Sequence, residues 1–146
     1  MSRFLYEKSI TYQEYLIIPF VFSNIDSHDI YSYCLLAEQG YKNQLHKAIN
    51  PAGLYSSKLE DVIDIAKKHL DEQATSDQES NYFQQRYTYN NNLIILHQEA
   101  GKCFYDHYAP EELNNIAAPR IFNSSLDCIS WVKRGLKHNK VNKKAN

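Results

Sequence analysis

Chemistry-bearing side chains gather in one short stretch of this sequence. His97, Cys103, Asp106 and His107 lie within eleven residues of one another. A histidine facing a carboxylate is an acid–base pair, because the carboxylate orients the ring and favours its charged form. Whether His97 and Asp106 meet depends on the turn between them, in the run Ile94-Ile95-Leu96-His97-Gln98-Glu99-Ala100-Gly101-Lys102-Cys103. With Gly101-Lys102 at the turn they stand directly opposite each other; with Ala100-Gly101 there, His97 faces Phe104 instead. The plainer alternative is a cross-strand surface pair worth under about 1 kcal/mol. No obvious nucleophile is offered nearby, so His97 and Asp106 are weak candidates and no catalytic residue is assigned. Cys103 and His107 share one face of an extended strand, but four residues at ~3.3 Å each separate them by roughly 13 Å. A zinc ion needs both within about 2.3 Å. No metal and no cofactor is expected.

The four glycines, Gly40, Gly53, Gly101 and Gly135, are scattered, so neither a phosphate-cradling loop nor a dinucleotide fingerprint can be drawn. There is no GxSxG, HExxH or CxxC. Cys128 falls near the start of a helix, where a thiolate would be stabilised, but it adjoins Ile129 and also reads as a buried filler. Trp131 lies beside the apolar stripe of that helix and is either core or an interface anchor. The stretch Tyr82-Phe83-Gln84-Gln85-Arg86-Tyr87-Thr88-Tyr89 reads as an aromatic strand. Tyr82, Phe83, Arg86, Tyr87, Tyr89 and Trp131 are therefore the candidate interaction residues. An aromatic strand can also stack bases, which keeps a nucleic-acid reading open.

These residues must be positioned by a small set of elements. Leu54 to Leu70 reads as a strand end, a capped turn and an amphipathic helix. Ser57 and Glu60 have capping-box spacing, and Leu59, Val62, Ile63, Ala66 and Leu70 form one stripe. The pattern returns from Ile121 to Leu136: Leu54 matches Ile121, Ser57 matches Ser124, Leu59 matches Leu126, and Ile65 matches Val132. A second echo relates Tyr33–Lys42 to Ile94–Cys103, each an apolar run followed by Glu-x-Gly. These echoes predict two β-hairpin-plus-helix units, about 4–72 and 81–137, joined by a polar linker at about 73–80. Both belong to one domain, 1–138, with a flexible basic tail over 139–146.

The remaining elements follow in order. Phe4–Tyr12 alternates like a half-buried strand, and Tyr15–Phe22 is apolar throughout, as in a strand buried on both faces; Pro19 marks an edge or a bulge. Ser23–Ser27 is a turn, Asp29–Ala37 a third strand and Tyr41–Ala48 a fourth. Asn90-Asn91-Asn92 turns the chain, and Pro110-Glu111-Glu112 can open a short helix reaching Ile116.

The whole chain of 146 residues suits a single domain with a proper core. Its net charge of −1 hides an asymmetry: Lys133–Asn146 holds six of the sixteen Lys and Arg and no acid. The rest carries ten basic and seventeen acidic groups, a net −7, which disfavours nucleic acid. Three cysteines without close pairing point to a reducing compartment, and the longest apolar run is far too short to span a bilayer. Twelve tyrosines are a further peculiarity, suited to interfaces.

The fold class expected is α+β: an antiparallel sheet with two amphipathic helices on one face, built by internal duplication. The function expected is a non-catalytic cytoplasmic binding or regulatory protein that grips a protein partner or itself, with no membrane contact. The alternatives are a nucleic-acid-associated protein using the aromatic strand and the tail, and a small enzyme built on His97 and Asp106.

Overall fold

The computed structural model describes residues 3–37, 47–73 and 82–145, with side chains through residue 137. A 3-10 turn over Tyr6–Lys8 precedes β1 (Ile10–Tyr12), β2 (Tyr15–Ile25), β3 (His28–Ala37), β4 (Lys47–Ile49) and helix α1 (Leu59–Gln73). Then come β5 (Arg86–Tyr89), β6 (Asn92–Glu99), β7 (Lys102–Tyr108) and helix α2 (Ser125–Ala145). The strands form two antiparallel sheets, in the orders β1-β2-β3-β4 and β5-β6-β7.

Period-two alternation along the strands sorts their side chains into three cores. Leu16, Ile18 and Phe20 of β2, with Cys34 and Leu36 of β3, meet Leu93, Ile95 and Tyr108 of the second sheet. The opposite face of the first sheet, Ile17, Tyr33 and Leu35, packs on Val62, Ile63, Ala66 and Leu70 of α1. The opposite face of the second sheet, Ile94, Leu96, Cys103 and Tyr105, packs on Cys128 and Val132 of α2. The layers therefore run helix, sheet, sheet, helix. This corrects the single sheet with both helices on one face. Both faces of β2 and β6 are apolar, and one helix layer covers only one of them; the other sheet covers the rest.

Tight turns set the registers. Asp26-Ser27 (φ 51° and 66°), Asn90-Asn91 (48° and 63°) and Ala100-Gly101 (53° and 77°) are two-residue loops with both central residues left-handed. That conformation matches the right-handed twist of the flanking strands. The carbonyl of Pro19 accepts from Leu5 N at 2.9 Å. In a strand the N and O of one residue point the same way, so the donor that proline lacks faces Leu5 and β3 loses no bond. The irregularity in β2 lies two residues on, where the register shifts between Val21 and Ser23 and leaves Phe22 unpaired.

Other expectations are amended. Phe4–Tyr12 is not one strand: Phe4 bridges Phe20, the 3-10 turn follows, and only Ile10–Tyr12 pairs with β2. This irregular segment straps the two sheets together. Phe4 N donates to Pro110 O (2.8 Å), Tyr6 OH donates to Ala109 O (2.6 Å), and Arg86 donates to Ser9 O (3.2 Å). Residues 110–116 form no helix; Asn115 instead bridges Tyr108. At the start of α1 it is Ser56 that accepts from Lys58 N (3.1 Å) and donates to Asp61 (3.0 Å), while at α2 Ser124 Oγ accepts from Asp127 N (3.1 Å). The backbone of α2 continues through the basic stretch to Ala145. The Glu38-Gln39-Gly40 turn, most of the fourth strand and most of the linker lie outside the described residues.

Candidate functional site

The turn at Ala100-Gly101 places His97 directly opposite Phe104, yet His97 and Asp106 do meet. Phe104 and Asp106 are two residues apart on one face of β7, so His97 reaches Asp106 along the diagonal. His97 Nε2 lies 3.0 Å from Asp106 Oδ2, and each side chain is 11% exposed. The same carboxylate oxygen accepts from Tyr82 OH, and its second oxygen accepts from Asn115 Nδ2 at 2.8 Å. The His97 ring lies between Tyr82 (centroids 4.3 Å apart) and Phe104 (5.2 Å).

Burial alone would raise the Asp106 carboxyl, but the hydrogen bonds from His97, Tyr82 and Asn115, with the charge of His97, outweigh it. The group lies below the ordinary carboxylate value. Asp106 thus gathers three pieces of chain: the segment entering β5 through Tyr82, the hairpin through His97, and the segment after β7 through Asn115. Both of its oxygens are committed to this clasp.

The aromatic stretch is split by the fold. The strand begins only at Arg86. Phe83 is 1% exposed and belongs to the core between the sheets, so it is withdrawn as an interaction residue. Tyr82 packs against that core while binding Asp106. Arg86 donates to Phe83 O (3.0 Å) and to Ser9, which fixes it between the sheets. Tyr87 is exposed, and the Tyr89 ring lies 5.4 Å from Lys133 Nζ.

Trp131 packs partly on the core beneath α2, 6.1 Å from the Tyr105 ring and 5.7 Å from Phe122. It also forms a wall of a cleft of about 250 Å³ between α2, β7 and the segment at Ile116–Ala118. His107 lines that cleft; its Nε2–H donates to Asn92 Oδ1 (2.9 Å), and burial pulls its pKa below the ordinary histidine value. Cys128 is fully buried and its thiol is pushed up to about 12, first by burial and then by the neighbouring Cys103 thiol. Such a thiol is a filler rather than a nucleophile at neutral pH.

One feature escaped the sequence. The register shift in β2 turns Phe22 outward, 56% exposed, and its ring lies 4.6 Å from that of Tyr55, itself 47% exposed. Ile25 and Leu54, on the same two segments, are also more than half exposed. An unbroken apolar run gave no sign of the bulge; the only hint was Pro19 three residues earlier.

Among the described residues no group of three or more His, Cys, Asp or Glu is placed to hold a metal ion, and no helix is long and apolar enough to cross a membrane. The chain matches no protein-family model, and no curated protein or solved structure shows significant similarity to it.

Proposed function

We propose that this protein is a non-catalytic cytoplasmic binding protein, a regulator, inhibitor or adaptor that acts through protein–protein contacts. The observation that carries this reading is the Phe22–Tyr55 pair. A bulge costs a strand part of its pairing and is used where a side chain must be re-aimed. Here it holds an aromatic ring in water against a second exposed aromatic. Aromatic residues are enriched in protein interfaces, and tyrosine is common among their hot spots. Tyr87 and Trp131 offer further contact area. The three free cysteines suit a reducing cytoplasm. The enzyme reading has less support, because Asp106 spends both oxygens on internal donors and His97 is enclosed by two rings.

The two halves are, on this proposal, copies of one unit. Both contain a hairpin with a two-residue loop, β2-β3 and β6-β7, and in both a residue just before the helix bridges the second arm: Ser56 to Tyr31, and Phe122 to Cys103. That alignment equates β3 with β7, whereas the Glu-x-Gly echo equated β3 with β6.

A double variant, Phe22→Ser with Tyr55→Ser, tests the function. Wild type and variant are used in parallel as bait, and their own mass is followed by light scattering. The expected result is a protein, or a second copy of the chain, held by wild type and lost from a variant with an unchanged unfolding midpoint. Identical captured sets and identical masses would overturn the reading.

A further inference from the structure

We infer that the cleft beside α2 receives the carboxyl-terminal residue of a partner chain, its apolar side chain in the cleft and its carboxylate on Arg120. The cleft is walled by Trp131, Val132 and Leu136 of α2, by Tyr105 of β7 and by Ile116 and Ala118. Its walls are mostly apolar; the polar groups are the His107 ring, bonded to Asn92, and the Tyr105 hydroxyl, which accepts from Ala118 N. At about 250 Å³ it is smaller than the ~300–1,000 Å³ typical of sites that bind a free small molecule. It has room for one branched or aromatic side chain, so a ligand that binds measurably must add a polar contact beside the cleft.

Arg120 supplies the polar half of the site. Its guanidinium carbon lies 5.2 Å from the ring centroids of both Phe122 and Trp131. Among the described residues the ion pairs are Arg3–Glu7 and His97–Asp106, so no acid claims this guanidinium. A guanidinium held over aromatic faces keeps its N–H edge free and oriented, and that edge matches a carboxylate with two parallel hydrogen bonds. Trp131 is common to both parts, since it walls the cleft and carries Arg120. Exposed Arg134 and Lys137, on the same helix, add positive potential around an otherwise acidic body. An apolar side chain and a carboxylate on the same residue is the chemistry of a chain terminus, and capture of a terminal carboxylate is a recurrent mode of peptide recognition.

This inference rests on the protein-binding reading but uses a different surface from Phe22 and Tyr55. The chain contains a single tryptophan, so its fluorescence reports on the cleft directly. The probes are N-acetyl-Gly-Gly-Leu with a free carboxylate, the same peptide as its amide, and 4-methylpentanoate. The acid peptide should change the emission saturably, and the amide should bind at least tenfold more weakly. Arg120→Gln should weaken the acid peptide at least tenfold with little change in unfolding midpoint, and Arg120→Lys should recover part of the loss. No response to the acid peptide, or equal binding of acid and amide, would overturn the site. If 4-methylpentanoate binds as tightly as the peptide, the ligand is a free small acid and the partner-terminus assignment fails. The bait experiment fails if the protein-binding reading is wrong, whereas the titration fails if the cleft is wrong, so the two failures are separable.

Discussion

Replacing Asp106 by alanine should be among the most damaging single changes in the second sheet. Its carboxylate accepts three side-chain hydrogen bonds, from Tyr82, His97 and Asn115, and the side chain is only 11% exposed. Hydrogen bonds to a charged group contribute about 1.5–3 kcal/mol each, and donors left without a partner keep their desolvation cost. Partial exposure lets water recover some of this, so the net loss for Asp106→Ala is about 3–4 kcal/mol. For a domain of this size that lowers the thermal midpoint by roughly 10 °C. Asp106→Asn keeps the shape and one acceptor, and should lose about 1–2 kcal/mol. Urea unfolding at pH 7 measures both, and a double-mutant cycle with His97→Ala should return a coupling above ~0.5 kcal/mol. The pH dependence follows from the lowered Asp106 value. Its contribution is fully present above the ordinary carboxyl range, near pH 4, and is lost as pH falls through the lower folded value. The Asp106→Asn protein should therefore have a flatter acid limb than wild type. A loss below about 1 kcal/mol for Asp106→Ala, or strict additivity with His97→Ala, would refute the clasp.

Two further outcomes follow from buried polar groups. Ser32 is 1% exposed and its Oγ has no hydrogen-bond partner among the described residues, so Ser32→Ala should be neutral or stabilising by up to about 1 kcal/mol. A loss above ~1 kcal/mol in urea unfolding would reveal a partner and refute the reasoning. His107 is held neutral by burial, so the unfolded chain takes up its proton first as pH falls. Stability should decline from pH 7 through the ordinary histidine value toward the lower folded one, and His107→Gln should reduce that slope in urea midpoints taken at several pH values.

The sequence was most legible where a local rule was strong. The stripe of α1, with Val62, Ile63, Ala66 and Leu70 buried, follows directly from helical spacing, and the Asn90-Asn91 turn from its residue types. Layering was harder. The unbroken run Leu16–Phe20 already required cover on both faces, but a run of apolar residues does not say whether a helix or another sheet supplies it. The echo matched Tyr33 with Ile94, and the strands that carry them each pair on both sides, β3 with β2 and β4 and β6 with β5 and β7, so the pairing order fits a match of β3 with β6 as well as one of β3 with β7. At the site, counting residues from the turn gave the direct neighbour of His97 correctly once Ala100-Gly101 is the loop. The diagonal reach to Asp106 and the arrival of Tyr82 and Asn115 depend on side-chain direction and on chain distant in sequence. Phe22 was hidden for a similar reason, since a bulge is a property of two strands together, and Pro19 hinted at an irregularity without placing it at Phe22.

The amino-terminal strap has a bearing on how the molecule comes into being. Tyr6 is hydrogen-bonded to a carbonyl 103 residues further along the chain, and Phe4 to the residue after that. A ribosome adding 5–20 residues per second needs roughly 5–20 s to make that length. For that interval the first sheet can close over α1, but its other face, with Leu16, Ile18 and Phe20, has no second sheet to meet. Phe4 and Tyr6 are thus made seconds before the carbonyls that lock them, and for that time the newborn chain holds a half-covered sheet.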